Sequence, residues 1–378
     1  NADGTLAAIV PLEGVPQTVT KRIIEDLDNA YFPTKMIVPS TEIVHDRANL
    51  EVFRGCIRGC RFCQAGYVYR PVRCRSRDLL ARYGQEAVKD SGYQEMTLSS
   101  LSTSDYPELV GLCDQLQPLC ERDHVNLSLP SLRADNFSMD LMQRLQKGRK
   151  AGLTFAPEAG TQRLRDAINK NVTEEDLTES LRTAFSGGWN AVKLYFMLGL
   201  PTETDEDVVG IANMANHALH TWRESAVNKS RGVRITVSTS WFVPKPFTAF
   251  QWEAQIPREE YERRVRLLRE SITAKAVTYN WHDGDTSFLE AVLARGDRRL
   301  SRVLELSWRK GARLDAWSDY FDLNRWLEAF AECGLDPAFY ANRQRSREEI
   351  LPWSMISCYV SDDYLWRQRE LALSLIHI

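Results

Sequence analysis

The sequence predicts an α/β protein: a barrel or partial barrel of alternating strands and helices, followed by a mostly helical C-terminal extension. Two observations carry that expectation. Six short apolar or β-branched runs recur at residues 50–53, 96–101, 125–129, 153–156, 191–198 and 234–243, with helical segments between them. Beyond about residue 246 the apolar spacing turns helical, at 261–275, 287–295, 300–310 and 323–333. Alternation over so long a stretch favours parallel strands closed or partly closed on themselves, with the chemistry in the loops that follow them.

Taken in order, residues 1–45 hold prolines 11, 16, 33 and 39 and one short amphipathic stretch at 21–27, and read as a connecting arm. Residues 46–250 are expected to form the barrel. Its strands look like nearly continuous apolar runs, the pattern of strands covered on both faces. Helix starts show at Thr173 and Thr204, each followed by three acidic residues, and Pro257 fits a first helical position. Residues 251–372 make the helical extension, in which Trp252, Trp281, Trp308, Trp317, Trp326 and Trp353 read as packing residues. Residues 373–378 read as a non-native tail.

Composition narrows the function classes. The 10 Trp, 13 Tyr and 14 Phe argue against disorder, and a net charge of -3 gives no global basic field for nucleic acid. The longest apolar run, within residues 191–200, is far short of the ~20 residues a membrane span needs. Of eight cysteines, Cys56, Cys60, Cys63 and Cys74 crowd together, while Cys113, Cys120, Cys333 and Cys358 are scattered. Such clustering points to metal chemistry in a reducing, cytoplasmic compartment more than to a disulfide framework. Phosphate-loop, dinucleotide and serine-hydrolase motifs are absent from the sequence. His217 and His220 lie three apart without accompanying ligands and read as surface or core residues.

The chemistry concentrates in Phe53-Arg54-Gly55-Cys56-Ile57-Arg58-Gly59-Cys60-Arg61-Phe62-Cys63, a C-x3-C-x2-C spacing directly after the first strand. Three thiolates in so short a run can converge on one centre, and Gly55 and Gly59 let the backbone wrap it. Thiolates select zinc or iron–sulfur. Structural zinc takes four closed ligands, usually as two separated pairs, and the nearest fourth thiol is Cys74. A 4Fe-4S cluster on three cysteines instead leaves one iron open to N and O donors. The rival reading is a noncatalytic thiolate-metal module, zinc or ferredoxin-like, serving binding or electron transfer.

That spacing, with the aromatic Phe62 before the third cysteine, resembles the signature of the radical S-adenosylmethionine (radical SAM) superfamily. The resemblance implies a partial (β/α)6 TIM-like barrel. It also implies that Cys56, Cys60 and Cys63 ligate three irons of a 4Fe-4S cluster, that S-adenosylmethionine (SAM) chelates the fourth, and that Phe62 approaches the adenine. Reductive cleavage of SAM would then deliver a 5'-deoxyadenosyl radical that abstracts hydrogen from an unidentified substrate, whether RNA, peptide or metabolite.

Further segments fit the family with departures. Residues 98–106 end the second strand in hydroxyls where the family often has Gly-Gly-Glu, leaving Ser100, Ser102 or Thr103 to hold the methionine amino group. Arg133 and Glu158 follow the third and fourth strands. The segment Phe155-Ala156-Pro157-Glu158-Ala159-Gly160 resembles the Glu-Ser-Gly segment of members related to methylthiotransferases and cobalamin-dependent enzymes, whose carboxylate lies near SAM. Gly199 opens a turn similar to the family's Gly-x-Pro-Gly-Glu-Thr, with Thr202 in place of the second glycine, and would let the backbone approach the adenine. The wording of these segments looks most like a branch often fused to an upstream cobalamin-binding domain. No Asp-x-His-x-x-Gly motif occurs, so cobalamin would enter only through a domain outside these residues. No second cysteine triad precedes Cys56, which weighs against tRNA methylthiotransferase chemistry. Arginines 58, 61, 70, 73, 75, 77 and 82, against the single acid Asp78, suggest a cationic rim for a flavodoxin or ferredoxin-type reductant or an RNA, with a solvated face as the plainer reading.

Overall fold

The computed structural model describes residues 1–129 and 153–374. Its strands are, in chain order, β1 (Val19–Thr20), β2 (Ala48–Glu51), β3 (Phe53–Arg54), β4 (Arg73–Cys74), β5 (Glu95–Ser99), β6 (Asn126–Ser128), β7 (Leu153–Glu158), β8 (Ala191–Leu198), β9 (Arg234–Trp241), β10 (Val277–Trp281) and β11 (Ile356–Ser357). Two parallel runs, β2-β5-β6 and β7-β8-β9-β10, build the wall of a TIM-like α/β fold. Each expected strand is present. β10 is a seventh, inside the segment the sequence assigns to the helical extension; five residues between two helices are too few to show a period of two.

Helices Arg77–Ser91 and Leu109–Asp123 cover the first run, packing Leu80, Ala87, Leu112 and Leu116 against Leu50, Met96 and Leu98. Helices Glu174–Ser186, Asp205–Ser225 and Arg258–Ser271 cover the second, with Leu181, Ile211, Ala215 and Leu268 against Phe155, Leu194, Phe196 and Val237. The expectation of strands covered on both faces is corrected here. In β8, Val192, Leu194, Phe196 and Leu198 are buried toward the helices, while the alternate residues Lys193, Tyr195 and Met197 are only half-buried. Tyr and Met count as apolar in a sequence run, which hid the alternation.

The helix starts are as the sequence suggests at Thr173, whose hydroxyl accepts the Asp176 N–H at 3.0 Å while the Asp176 carboxylate accepts the Thr173 N–H at 2.9 Å. At Thr204 the N–H donates to Asp207 at 2.8 Å. Pro257 stands one residue before its helix, which begins at Arg258. The extension adds helices Gly284–Ala294, Leu300–Arg309, Leu323–Glu332, Pro337–Ala341 and Asp362–Ser374. Trp252, Trp326 and Trp353 are buried there, but Trp281, Trp308 and Trp317 are exposed, against expectation. Contact across part of a ring, from Tyr279 at Trp281 and Arg313 at Trp308, leaves the rest of each indole in solvent. No described helix is long and apolar enough to cross a membrane.

Residues 1–45 form no helix; the stretch 21–27 is irregular. β1 pairs in parallel with β11. Beyond it the arm runs along the arginine-rich segment: the Lys21 ammonium donates to the Val68 and Arg70 carbonyls, Arg73 Nη1 to Ile24 O at 3.0 Å, and Arg75 to Leu27 O.

Candidate functional site

Parallel strands end together, so the loops after β2, β5, β7, β8 and β9 share one rim. The chain leaves β2 through β3 into the cysteine loop and returns through β4, and the antiparallel pairs Phe53↔Cys74 and Arg54↔Arg73 close its neck. Gly55 has φ +97°, and a Cβ there would lie 2.7 Å from the Tyr69 and Pro71 carbonyl oxygens, so only glycine lets the strand turn into the loop. Cys56 Sγ accepts the Arg58 N–H at 3.4 Å, and the Cys63 N–H donates to Cys60 O at 3.1 Å. Cys63 then caps the short helix Gln64–Val68. Burial pushes the Cys63 thiol up; the Gly66 N–H and Lys170 pull the other way.

The loop is docked on the far side of the rim. The buried Arg61 guanidinium donates to Ala167 O at 2.7 Å and Asp166 O at 3.3 Å, its main-chain N–H to Ile168 O at 2.9 Å, and Asn169 Nδ2 donates to Gly59 O at 2.8 Å. Ala249 N–H donates to Arg61 O at 3.1 Å, and Arg61 Nε reaches Gln368 of the last helix at 3.3 Å. On the opposite side Arg58 pairs with Asp105.

The expected site residues fall as follows. Phe62 packs with Ala159, Leu164, Ile168 and Phe250. Glu158 closes β7 at a bulge, in the left-handed region with φ +70°, and its Oε1 accepts from Lys170 Nζ at 3.0 Å. Lys170 lies 6.0 Å from the Phe62 ring centroid, and both Lys170 and Glu158 act electrostatically on Cys63. The structure thus gathers Phe62, Cys63, Glu158 and Lys170. Sequence reasoning missed Lys170; its signal was the Asn169-Lys170-Asn171 turn, where both asparagines take φ near +50°.

Ser100 and Ser102 lie in an internally bonded turn. Ser100 Oγ meets Thr103 Oγ1 at 3.0 Å, and Ser102 Oγ donates to Asp105 Oδ2 at 2.7 Å, so Ser102 steadies the carboxylate that holds Arg58. Gly199 follows β8 with φ +90°; its N–H donates to Glu203 Oε2 at 2.6 Å, and a Cβ would meet Ile256 at 2.9 Å. Its bare side is therefore filled by Ile256 of this chain. Glu203 is buried against Arg264, and desolvation raises it to about 7 against that pull. Arg133 lies outside the described residues. Of the seven arginines, Arg61 and Arg75 are buried, Arg70 Nη2 donates to Arg58 O, Arg73 bonds Pro71 O and Tyr69 O, and Arg77 pairs with Glu108, while Arg82 stays exposed beside Glu86.

The donor set fits a cubane better than a single ion. Cys56, Cys60 and Cys63 share one loop, whereas Cys74, the nearest further thiol, sits exposed at the loop neck. A cubane takes one thiolate at each of several corners, which suits thiols spread around a loop.

Residues 50–215 match the family model of the Radical SAM superfamily. The protein MJ0966 of Methanocaldococcus jannaschii is 30% identical over 340 residues, 89% of this chain and 70% of its own length. The chain belongs to the radical SAM superfamily. Radical SAM membership makes it an enzyme and brings the family's 4Fe-4S cluster and SAM. Threonylcarbamoyladenosine tRNA methylthiotransferase MtaB of Bacillus subtilis is 24% identical over 213 residues, 54% of this chain and 44% of that enzyme. The radical SAM methyltransferase TsrM of Kitasatospora setae, solved with cobalamin and a [4Fe-4S] cluster, superposes with a TM-score of 0.40 and 14% identity, covering 51% of this chain and 36% of TsrM. The chain spans less than half of either of these two proteins.

Proposed function

We propose that this chain is the catalytic core of a radical SAM enzyme in which Cys56, Cys60 and Cys63 hold the cluster and Phe62, Ser100, Ser102, Glu158 and Lys170 surround SAM at the strand ends. Bound there, the cluster and SAM supply a 5'-deoxyadenosyl radical for hydrogen abstraction from a substrate. The observation that carries this reading is the docking of the cysteine loop by segments from both sheets, Asp105 on one side and residues 166–170 on the other. Such bracing holds three thiolates in a fixed relation before any cluster arrives. Lys170 places a positive charge beside Cys63, and Glu158 keeps the ammonium there. The electron comes from a flavodoxin or ferredoxin-type donor, and the cysteines suit the reducing cytoplasm.

Anaerobic reconstitution tests the assignment. About four irons and four sulfides per chain, with reductant-dependent conversion of SAM to 5'-deoxyadenosine that is lost in Cys56→Ser, Cys60→Ser and Cys63→Ser, are expected. One tightly held zinc and no SAM cleavage would return the noncatalytic module.

A further inference from the structure

Among the described residues, the face of β7–β10 opposite helices Glu174–Ser186, Asp205–Ser225 and Arg258–Ser271 is polar below the rim, where Met197 packs against the cluster that also holds Phe62. In the register of the sheet Lys193 stands beside Thr154 and Thr236, Tyr195 beside Ser238, and Met197 beside Ser240 nearest the rim. A barrel face that serves only to fill space carries bulky branched apolar layers. Here the hydroxyls and one ammonium are left half-buried on the side away from the helices, apart from Ser238, which is buried, and Thr154, which is exposed. Lys193 Nζ lies 4.5 Å from the Tyr195 ring centroid, which holds the ammonium along the wall. Among the described residues no carboxylate pairs with it. Glu51 is engaged by Arg54, and Glu158 by Lys170.

We infer that this face receives the substrate through a carboxylate, taken by Lys193 with the Tyr195 phenol and the Ser238 and Ser240 hydroxyls as hydrogen-bond partners. The substrate class is then a polar, carboxylate-bearing metabolite. This rests on the proposed function. The choice of anion follows from charge: one mid-wall ammonium balances a monoanion, whereas a phosphate near −2 is met by arginine clusters or a helix N-terminus. An RNA would bring a row of phosphates to a face with a single such ammonium.

Equilibrium dialysis of the reconstituted full chain against a defined set of central metabolites, divided into carboxylates, phosphate esters and neutral compounds, tests the inference. Wild type is expected to retain carboxylates, Lys193→Met to retain them at least tenfold less, and Tyr195→Phe, which removes one oxygen and guards against a folding artefact, about threefold less. Retention of phosphate esters or neutral compounds, equal retention by Lys193→Met, or no retention at all overturns it. Iron and sulfide content of the same samples separates the two readings. A wild type that binds no cluster strikes at the proposed function, and a loaded protein indifferent to Lys193 strikes only at this inference.

Discussion

Replacing Arg61 by Met keeps most of the buried aliphatic volume and removes the guanidinium that ties the cysteine loop to the chain after β7. The strongest lost bond, to Ala167 O at 2.7 Å, is charge-assisted and buried and is worth ~1.5–3 kcal/mol. The two longer ones, to Asp166 O and Gln368 Oε1 at 3.3 Å, add ~0.5 kcal/mol each. A local cost of about 3 kcal/mol corresponds to roughly a hundredfold rise in the open population of the loop. The readout is amide hydrogen exchange in the apo protein, because the N–H groups of Arg61, Cys63 and Ala249 are each bonded within this joint. Exchange at those three amides is expected to accelerate about a hundredfold, by that conversion, with helix Asp205–Ser225 unaffected. Rates within threefold of wild type, together with normal iron loading, would refute the idea that this arginine braces the loop.

Gly55→Ala forces a Cβ to 2.7 Å from two carbonyl oxygens at φ +97°, so a loss of ~2 kcal/mol or more in chemical denaturation and reduced iron content are expected. Glu158 and Lys170 are largely buried, with side-chain exposures of 17% and 11%; either Glu158→Gln or Lys170→Met alone should cost ~3 kcal/mol, while the double variant recovers part of it, as a double-mutant cycle will show. Glu203 titrates near 7 in the folded chain, because burial outweighs Arg264, and near ~4.3 when unfolded. Its contribution is therefore complete below pH ~4 and lost as pH rises through 7, so wild type should lose stability relative to Glu203→Gln by roughly 3 kcal/mol between pH 4 and 8. A flat difference across that range would remove Glu203 as the titrating group.

The thiolate triad and the six strands were legible because both are local. Cysteine spacing is chemistry written in consecutive residues, and β8 or β9 is long enough to declare itself. What stayed hidden depends on contacts between distant segments. Lys170 has meaning only once a pair of left-handed asparagines aims it at Glu158 and Phe62. Much of the arginine run looked like a charged rim because the partners of Arg58, Arg61, Arg70 and Arg73 are main-chain carbonyls or a remote carboxylate, which leave no mark on neighbouring residues. β10 failed for want of length, and the one-sided wall failed because Tyr195 and Met197 pass for core residues in a hydropathy run.

The pairing of β1 with β11 joins residue 19 to residue 356, and the arm beyond it holds the loop's return through Lys21. During synthesis the three thiols leave the ribosome long before residue 356 exists to receive β1. The nascent polypeptide thus displays them with this flank unsupported, and the mature clasp on that flank closes only once residue 356 has emerged.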